Sequence, residues 1–332
     1  MKVCIVGAGA IGGLIGTRLA AAGAADVCAL ARGATLEALC THGWRLDGPD
    51  GPDGPDGRLQ AAVRASDNPA ELGVQDLVVI AVKAQSLPAL APTLSPLLGP
   101  ATVVLPAMNG VPWWFGQGVP GLDGVPLESV DPGGGIARAI AYPTVLGCVV
   151  HASASTPEPG RVLHRMGLGL IVGEPGGGTS TRVQAVVERL AQAGFEAKAS
   201  PDVRRDAWYK LWGNLTMNPV SALTGATGDR VLADPLVREF CSQAMREAAA
   251  IGAHVGCPID QSPEDRHTIT ARLGAFRTSM LQDVEGGRAI ELDAIVGAVR
   301  EIGQRVGVAT PAIDALFGLT RLMARVRGLY PG

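Results

Sequence analysis

Lys2-Val3-Cys4-Ile5-Val6 is an apolar run that stops at Gly7-Ala8-Gly9-Ala10-Ile11-Gly12, and a stretch rich in small residues follows to Ala22. A short continuous apolar run reads as a buried parallel strand, and the stretch from Ile11 to Ala22 as a helix. G-x-G-x-x-G alone is a weak signal. Here it has a strand before it, a helix after it and a second strand, Asp26 to Ala31, about twenty residues on. The first glycine allows the tight turn, and the second lets backbone approach a pyrophosphate. The third admits close helix–strand packing, while the helix N-terminus offers N–H donors. The pattern predicts an N-terminal Rossmann-type, doubly wound α/β sheet in which Gly7, Ala8, Gly9, Ala10, Ile11 and Gly12 hold a dinucleotide.

The end of the second strand selects the dinucleotide. An acid there would bind the ribose hydroxyls of NAD, but the chain reads Leu30-Ala31-Arg32. A guanidinium suits a 2′-phosphate, so NADP (as NADPH when reduced) is favoured over NAD. Lys83 ends the strand-like run Asp76 to Val82, and Asn109 follows another strand, Thr102 to Leu105. Both strand ends belong at the carboxyl edge, where open α/β sheets bind ligands.

Further strands are expected at Val145 to Val150, Leu168 to Val172 and Phe195 to Ala199, with a helix from Thr179 to Ala193 between the last two. From Pro201 onward the pattern becomes helical: Pro201 to Asn218, Asp234 to Val255, Pro263 to Val284, Glu291 to Val306 and Pro311 to Val326. Thr310-Pro311 supplies an N-cap and an N1 proline. The expected organisation is a dinucleotide-binding domain over 1–200 and a helical substrate and catalytic domain over 201–332. The tandem Gly-Pro-Asp repeat from Gly48 to Gly57 is expected to be a surface loop.

Composition narrows the function. A net charge of −3 with scattered Lys and Arg gives no support for nucleic-acid binding. Six widely spaced cysteines with no C-x-x-C fit a reducing, cytoplasmic setting and suggest no metal site. Residues 84–122 carry no Asp, Glu, Lys or Arg, but seven prolines prevent a membrane-spanning helix. The small-residue start resembles a secretory leader, yet its glycines are better explained by the dinucleotide turn.

The second chemical feature is Trp208-Tyr209-Lys210-Leu211-Trp212-Gly213-Asn214-Leu215-Thr216-Met217-Asn218-Pro219. As a helix it sets Lys210, Asn214 and Asn218 at i, i+4 and i+8, on one stripe. One ammonium and two carboxamides among Trp and Met are tolerated in a partly buried place only with hydrogen-bonding partners, and a polar ligand is the natural one. An exposed polar face opposite a Trp anchor would read the same way.

In order along the chain, GAGAIG, Arg32, AVKAQS with Lys83, MNG with Asn109, WYKLWGNLTMNP and TSMLQDVEGGRAIELD (278–293) resemble the ketopantoate reductase family, the 2-dehydropantoate 2-reductases. The resemblance spans nearly the whole chain. It implies a Rossmann domain followed by a helical domain, and NADPH-dependent reduction of a 2-oxo acid in pantothenate and coenzyme A synthesis. By the resemblance Lys210 is the general acid, and Asn214 and Asn218 hold the substrate's hydroxyl and keto groups. Ser279 binds its carboxylate, and Glu291 acts at the reaction centre in contact with the cofactor. Lys83 and Asn109 match positions that touch cofactor, Asn109 also substrate, and Ala152 matches a backbone cofactor contact. No metal is implied.

Three departures bear on substrate choice. Extra sequence lies between Asn109 and His151, including Val111-Pro112-Trp113-Trp114, and reads as a flap or a passive surface excursion. The family's further Asn is replaced by Thr224-Gly225-Ala226-Thr227-Gly228, and the Gly-Pro-Asp repeat is foreign to the pattern. Competing readings are a reductase of another 2-oxo or 3-oxo acid, an opine- or imine-forming reductase, and a dinucleotide sensor. The Ala-rich C-terminal helices leave a homodimer open.

Overall fold

The computed structural model describes residues 1–49 and 57–331. The Gly-Pro-Asp repeat lies, over 50–56, outside the described residues. In chain order the elements are β1 (Lys2–Val6), α1 (Ala10–Ala21), β2 (Asp26–Leu30), α2 (Gly33–His42), β3 (Trp44–Asp47), β4 (Arg58–Ala61) and β5 (Arg64–Ser66). Then come α3 (Pro69–Leu72), β6 (Leu77–Ile80), α4 (Leu87–Leu90), β7 (Val103–Pro106) and α5 (Gly135–Ala139). β8 (Gly147–Glu158), β9 (Arg161–Gly173), α6 (Thr181–Gln192) and β10 (Glu196–Ser200) close the strand-bearing part. The rest is helical: α7 (Val203–Thr224), α8 (Gly228–Ala233), α9 (Pro235–His254), α10 (Pro263–Ala271), α11 (Ser279–Glu285), α12 (Ala298–Val306) and α13 (Pro311–Val326). A π-helical turn, Asp293–Gly297, runs into α12.

The chain divides into two compact units. One holds Met1–Met108 and Gly135–Asp206, the other Asn109–Gly134 and Ala207–Gly332.

The first unit contains two sheets. The five-stranded sheet β5-β2-β1-β6-β7 is parallel throughout, with β1 at its centre. β8, β9 and β10, expected in that sheet, lie in a second one, ordered β10-β9-β3-β4 with β8 along β9. β8 and β9 form a long antiparallel hairpin. α1 explains the pairing of the two sheets. A Cβ on Gly16 would sit 2.4 Å from the Trp44 ring, and one on Gly13 2.5 Å from Val162. The small residues of α1 therefore let the second sheet's side chains seat directly on the helix. One hydrophobic core joins Val3, Ile5, Val79 and Leu105 of the first sheet with Trp44, Val162 and Leu170 of the second.

In the second unit α13 spans the expected residues, and Asp234 caps α9 by accepting from the Leu236 and Val237 N–H groups. The single helix expected over Pro263 to Val284 is instead two, α10 and α11, because Gly274 adopts φ +63° and Thr278 starts a new helix as its N-cap. The helix expected to end at Asn218 continues through Pro219 to Thr224. The insertion after Asn109 is no surface excursion. Trp113, Trp114, Phe115 and Leu122 are buried, and Phe115 stacks on Trp208 with ring centroids 5.4 Å apart. Glu301 accepts from the Glu128 and Ser129 N–H groups, and Arg305 donates to the Val125 carbonyl.

Candidate active site

Two indoles set the roll of α7. Trp208 and Trp212, one turn apart and both buried, donate to the Ala248 and Met245 carbonyls of α9 at 3.3 and 2.7 Å. Truncating a buried aromatic of this kind costs about 3–5 kcal/mol. Lys210 lies two residues beyond Trp208, about 200° around the helix, so the Lys210–Asn214–Asn218 stripe faces away from that anchor. Leu211 and Leu215 beside the stripe are buried. Lys210 Nζ donates to Asn109 Oδ1 at 2.9 Å. Lys210 and Asn214 are half-buried, and Asn218 is buried.

Asn109 is held from the other side. Gly110 adopts φ +83°, and a Cβ there would meet the Ala294 carbonyl oxygen at 2.5 Å. Only glycine permits both the conformation and the approach. The next residue, Val111, donates its N–H to the same Ala294 oxygen at 2.8 Å. Ala294 lies in the π-helical turn, where the Ala298 N–H reaches back to the Asp293 carbonyl. Single π turns inside α-helices recur at functional sites. Glu291, buried, stands just ahead of this turn.

Ser279 joins the same unit through its neighbour. Thr278 Oγ1 lies 2.6 Å from Ser221 Oγ on α7, and Ser221 Oγ donates to the Asn218 carbonyl at 3.0 Å. Thr278 also accepts the Leu281 N–H, which fixes Ser279 as the exposed first residue of α11. Lys210, Asn214, Asn218, Asn109, Glu291 and Ser279 thus all belong to one compact unit, and Asn109 reaches it through a chain crossing at Met108.

The first unit carries the remaining residues. At the end of β1, Gly7 adopts φ +93°, and a Cβ on Gly12 would sit 2.0 Å from the Gly7 carbonyl oxygen. A Cβ on Gly9 would meet nothing within 4 Å, and Gly9 is the N-cap of α1 with no side-chain cap. A tight turn, a closely packed helix and open space at the second glycine are what a pyrophosphate requires. Arg32, exposed, is the N-cap of α2 two residues past β2, and Lys83 follows β6. β1, β2 and β6 are parallel, so their ends share one edge of the sheet. Ala152 lies inside β8, where the pairing with β9 shifts register between His151 and Ser153. Such a bulge leaves backbone groups outside the ladder.

Among the described residues no three His, Cys, Asp or Glu are grouped to hold a metal ion, and no helix is long and apolar enough to cross a membrane.

The model of the ketopantoate reductase PanE/ApbA family matches residues 3–113, and that of its C-terminal domain matches residues 202–324. A 2-dehydropantoate 2-reductase of Mesorhizobium japonicum is 44% identical over 99% of this chain and all of its own length. The chain belongs to the ketopantoate reductase family. A crystal structure from Ralstonia solanacearum MolK2, described provisionally as a ketopantoate reductase, superposes with TM-score 0.93 at 53% identity over 99% of both chains. A D-mandelate dehydrogenase solved with NADH and anilino(oxo)acetate shares the fold, with TM-score 0.83 at 20% identity over 99% of this chain and all of that one.

As a member of this family the chain is an oxidoreductase. Two features that support the site were missed in the sequence. The Ser221–Thr278 contact pairs residues 57 positions apart, beyond any local pattern. The π turn has no sequence pattern of its own.

Proposed function

We propose that this chain reduces 2-dehydropantoate (ketopantoate) to pantoate with NADPH, in pantothenate and coenzyme A synthesis. The observation that carries the reading is the Lys210–Asn109 hydrogen bond on a helix face that also presents Asn214 and Asn218. The glycine turn after β1 fits a dinucleotide, with Gly7, Ala8, Gly9, Ala10, Ile11 and Gly12 around the pyrophosphate. Arg32 pairs with a 2′-phosphate, and Lys83 and the bulged backbone at Ala152 make further contacts. When bound, the cofactor supplies a hydride to the keto carbon.

The protein's part is positioning and proton supply. An ammonium has three N–H donors and no acceptor. One is spent on Asn109, which aims another at the ketone oxygen. Lys210 polarises that oxygen and passes it a proton as negative charge develops. Asn214 and Asn218 offer donors and acceptors in line for the keto and hydroxyl groups. Ser279 hydrogen-bonds the carboxylate without neutralising it, and Glu291 supplies the acidic group at the reaction centre.

The test is NADPH oxidation with ketopantoate against a panel of 2-oxo acids, with and without ammonia. Saturable turnover with the highest kcat/KM on ketopantoate supports the reading. A higher kcat/KM on another 2-oxo acid would move the substrate, and amine-dependent turnover would replace the reaction class.

A further inference from the structure

The segment following α13 is tied to both flanks of Glu291. Tyr330 Oη donates to Asp293 Oδ1 at 2.6 Å, and the Leu329 carbonyl accepts the Ile290 N–H at 3.2 Å. Leu329 is buried, its own N–H bonded to the Ala324 carbonyl at 2.7 Å. Arg325 lies over the Tyr330 ring, 5.7 Å from its centroid, and donates to the Pro331 carbonyl. Neither Tyr330 nor Asp293 has a role in the chemistry derived above.

Asp293 is the residue whose carbonyl accepts the Ala298 N–H and so creates the π turn. The turn in turn presents the Ala294 carbonyl to Val111. Gly110 packs on that carbonyl, and Asn109 precedes it, bonded to Lys210. A continuous path of contacts therefore runs from Tyr330 through Asp293, Ala294 and Val111 to Asn109 and Lys210, all inside one unit. The path has a geometric reason. An α-helical ladder across 293–298 would make the Ala298 N–H a second claimant on the Ala294 carbonyl that Val111 uses, and would turn that carbonyl along the helix axis. The loop carrying Asn109 would then lose its backbone tie to the turn, and the Lys210 hydrogen bond would have to hold Asn109 unaided on that side.

We infer that the Tyr330–Asp293 hydrogen bond is a latch that holds the π turn in place and thereby positions Asn109 against Lys210, so that Tyr330 is a positioning residue for proton transfer. The inference rests on the assignment of Lys210 as the acid.

Tyr330→Phe removes one hydroxyl from a half-buried ring and keeps the packing. It should lower kcat by about tenfold, the scale of a small misplacement at a reacting centre, with NADPH affinity unchanged. Asp293→Ala should match it. Asp293→Asn, which keeps an acceptor oxygen for the tyrosine, should retain most of the activity. The decisive arm is a double-mutant cycle. In an Asn109→Ala background, Tyr330→Phe should have no further effect on kcat, because the latch acts through Asn109. A Tyr330→Phe enzyme within twofold of wild type, or the same loss with and without Asn109, would overturn the inference. The cycle is run with whichever 2-oxo acid the wild-type enzyme reduces best. Failure of the wild type on ketopantoate then refutes the substrate and leaves this test intact.

Discussion

Lys210 and Asn109 stand 101 positions apart in the chain and 2.9 Å apart in space, the ammonium donating to the carboxamide oxygen. A neutral acceptor is the apt partner for a proton donor. It orients the ammonium without the Coulombic grip of a carboxylate, which would hold the proton on nitrogen.

Asn109→Asp should therefore slow the enzyme although it preserves shape and the hydrogen bond. The added charge makes Lys210 a weaker acid, and kcat should fall on the order of tenfold. The basic limb of the pH–kcat profile should move upward. An Asp variant with wild-type kcat and an unmoved limb would mean that Lys210 does not deliver the proton.

Cofactor choice should rest on Arg32. Charge-assisted hydrogen bonds are worth roughly 1.5–3 kcal/mol each, discounted here because the residue is exposed. Arg32→Ala should weaken NADPH by about tenfold in a fluorescence titration and leave NADH nearly unchanged. Equal weakening of both would remove Arg32 from the 2′-phosphate.

Asn218 is buried, its backbone carbonyl accepts from Ser221, and it stands two turns along α7 from Lys210. Asn218→Ala should raise KM for the 2-oxo acid at least about tenfold, since a substrate polar group is left unpaired. NADPH affinity should hold. Loss of NADPH binding with unchanged substrate KM would place the stripe at the cofactor instead.

Stability should depend on His267. The imidazole is buried, 2.9 Å from Ser242 Oγ, and its pKa is lowered by burial and then by the Arg238 charge. The folded state thus binds fewer protons than the unfolded chain below the ordinary histidine pKa of about 6.5. Its contribution is complete above that pH and is lost as the pH falls through it toward the lowered folded value. Thermal melts should show Tm declining between about pH 7 and 5, less steeply in His267→Gln. Parallel declines would exonerate His267.

The parts of the fold legible from sequence are those dictated locally. β1, the glycine turn and α13 follow from apolar runs, glycines and an N1 proline, and they lie where those signals put them. The second sheet was hidden because β8 and β9 carry Ser153, Ser155, Glu158, Arg161, His164 and Arg165, which break the apolar pattern of a buried strand. Pro219 reads as a helix end, yet α7 continues because tertiary packing of Val220 and Leu215 outweighs one lost N–H. The candidate site was legible as residue types. Its supports, the π turn and the Ser221–Thr278 contact, depend on distant chain segments meeting and leave no local trace.

The most direct test of the account is the single-turnover rate of NADPH oxidation at saturating ketopantoate, for the wild type and for Lys210→Gln. Glutamine keeps hydrogen bonding but cannot supply the proton. General-acid catalysis contributes about 10²–10⁴-fold, so the variant should be slower by that order while NADPH still binds and the fold still melts cooperatively. A Lys210→Gln enzyme retaining more than about a third of the wild-type rate, with hydride transfer shown to be rate-limiting by a deuterium isotope effect, would contradict the account.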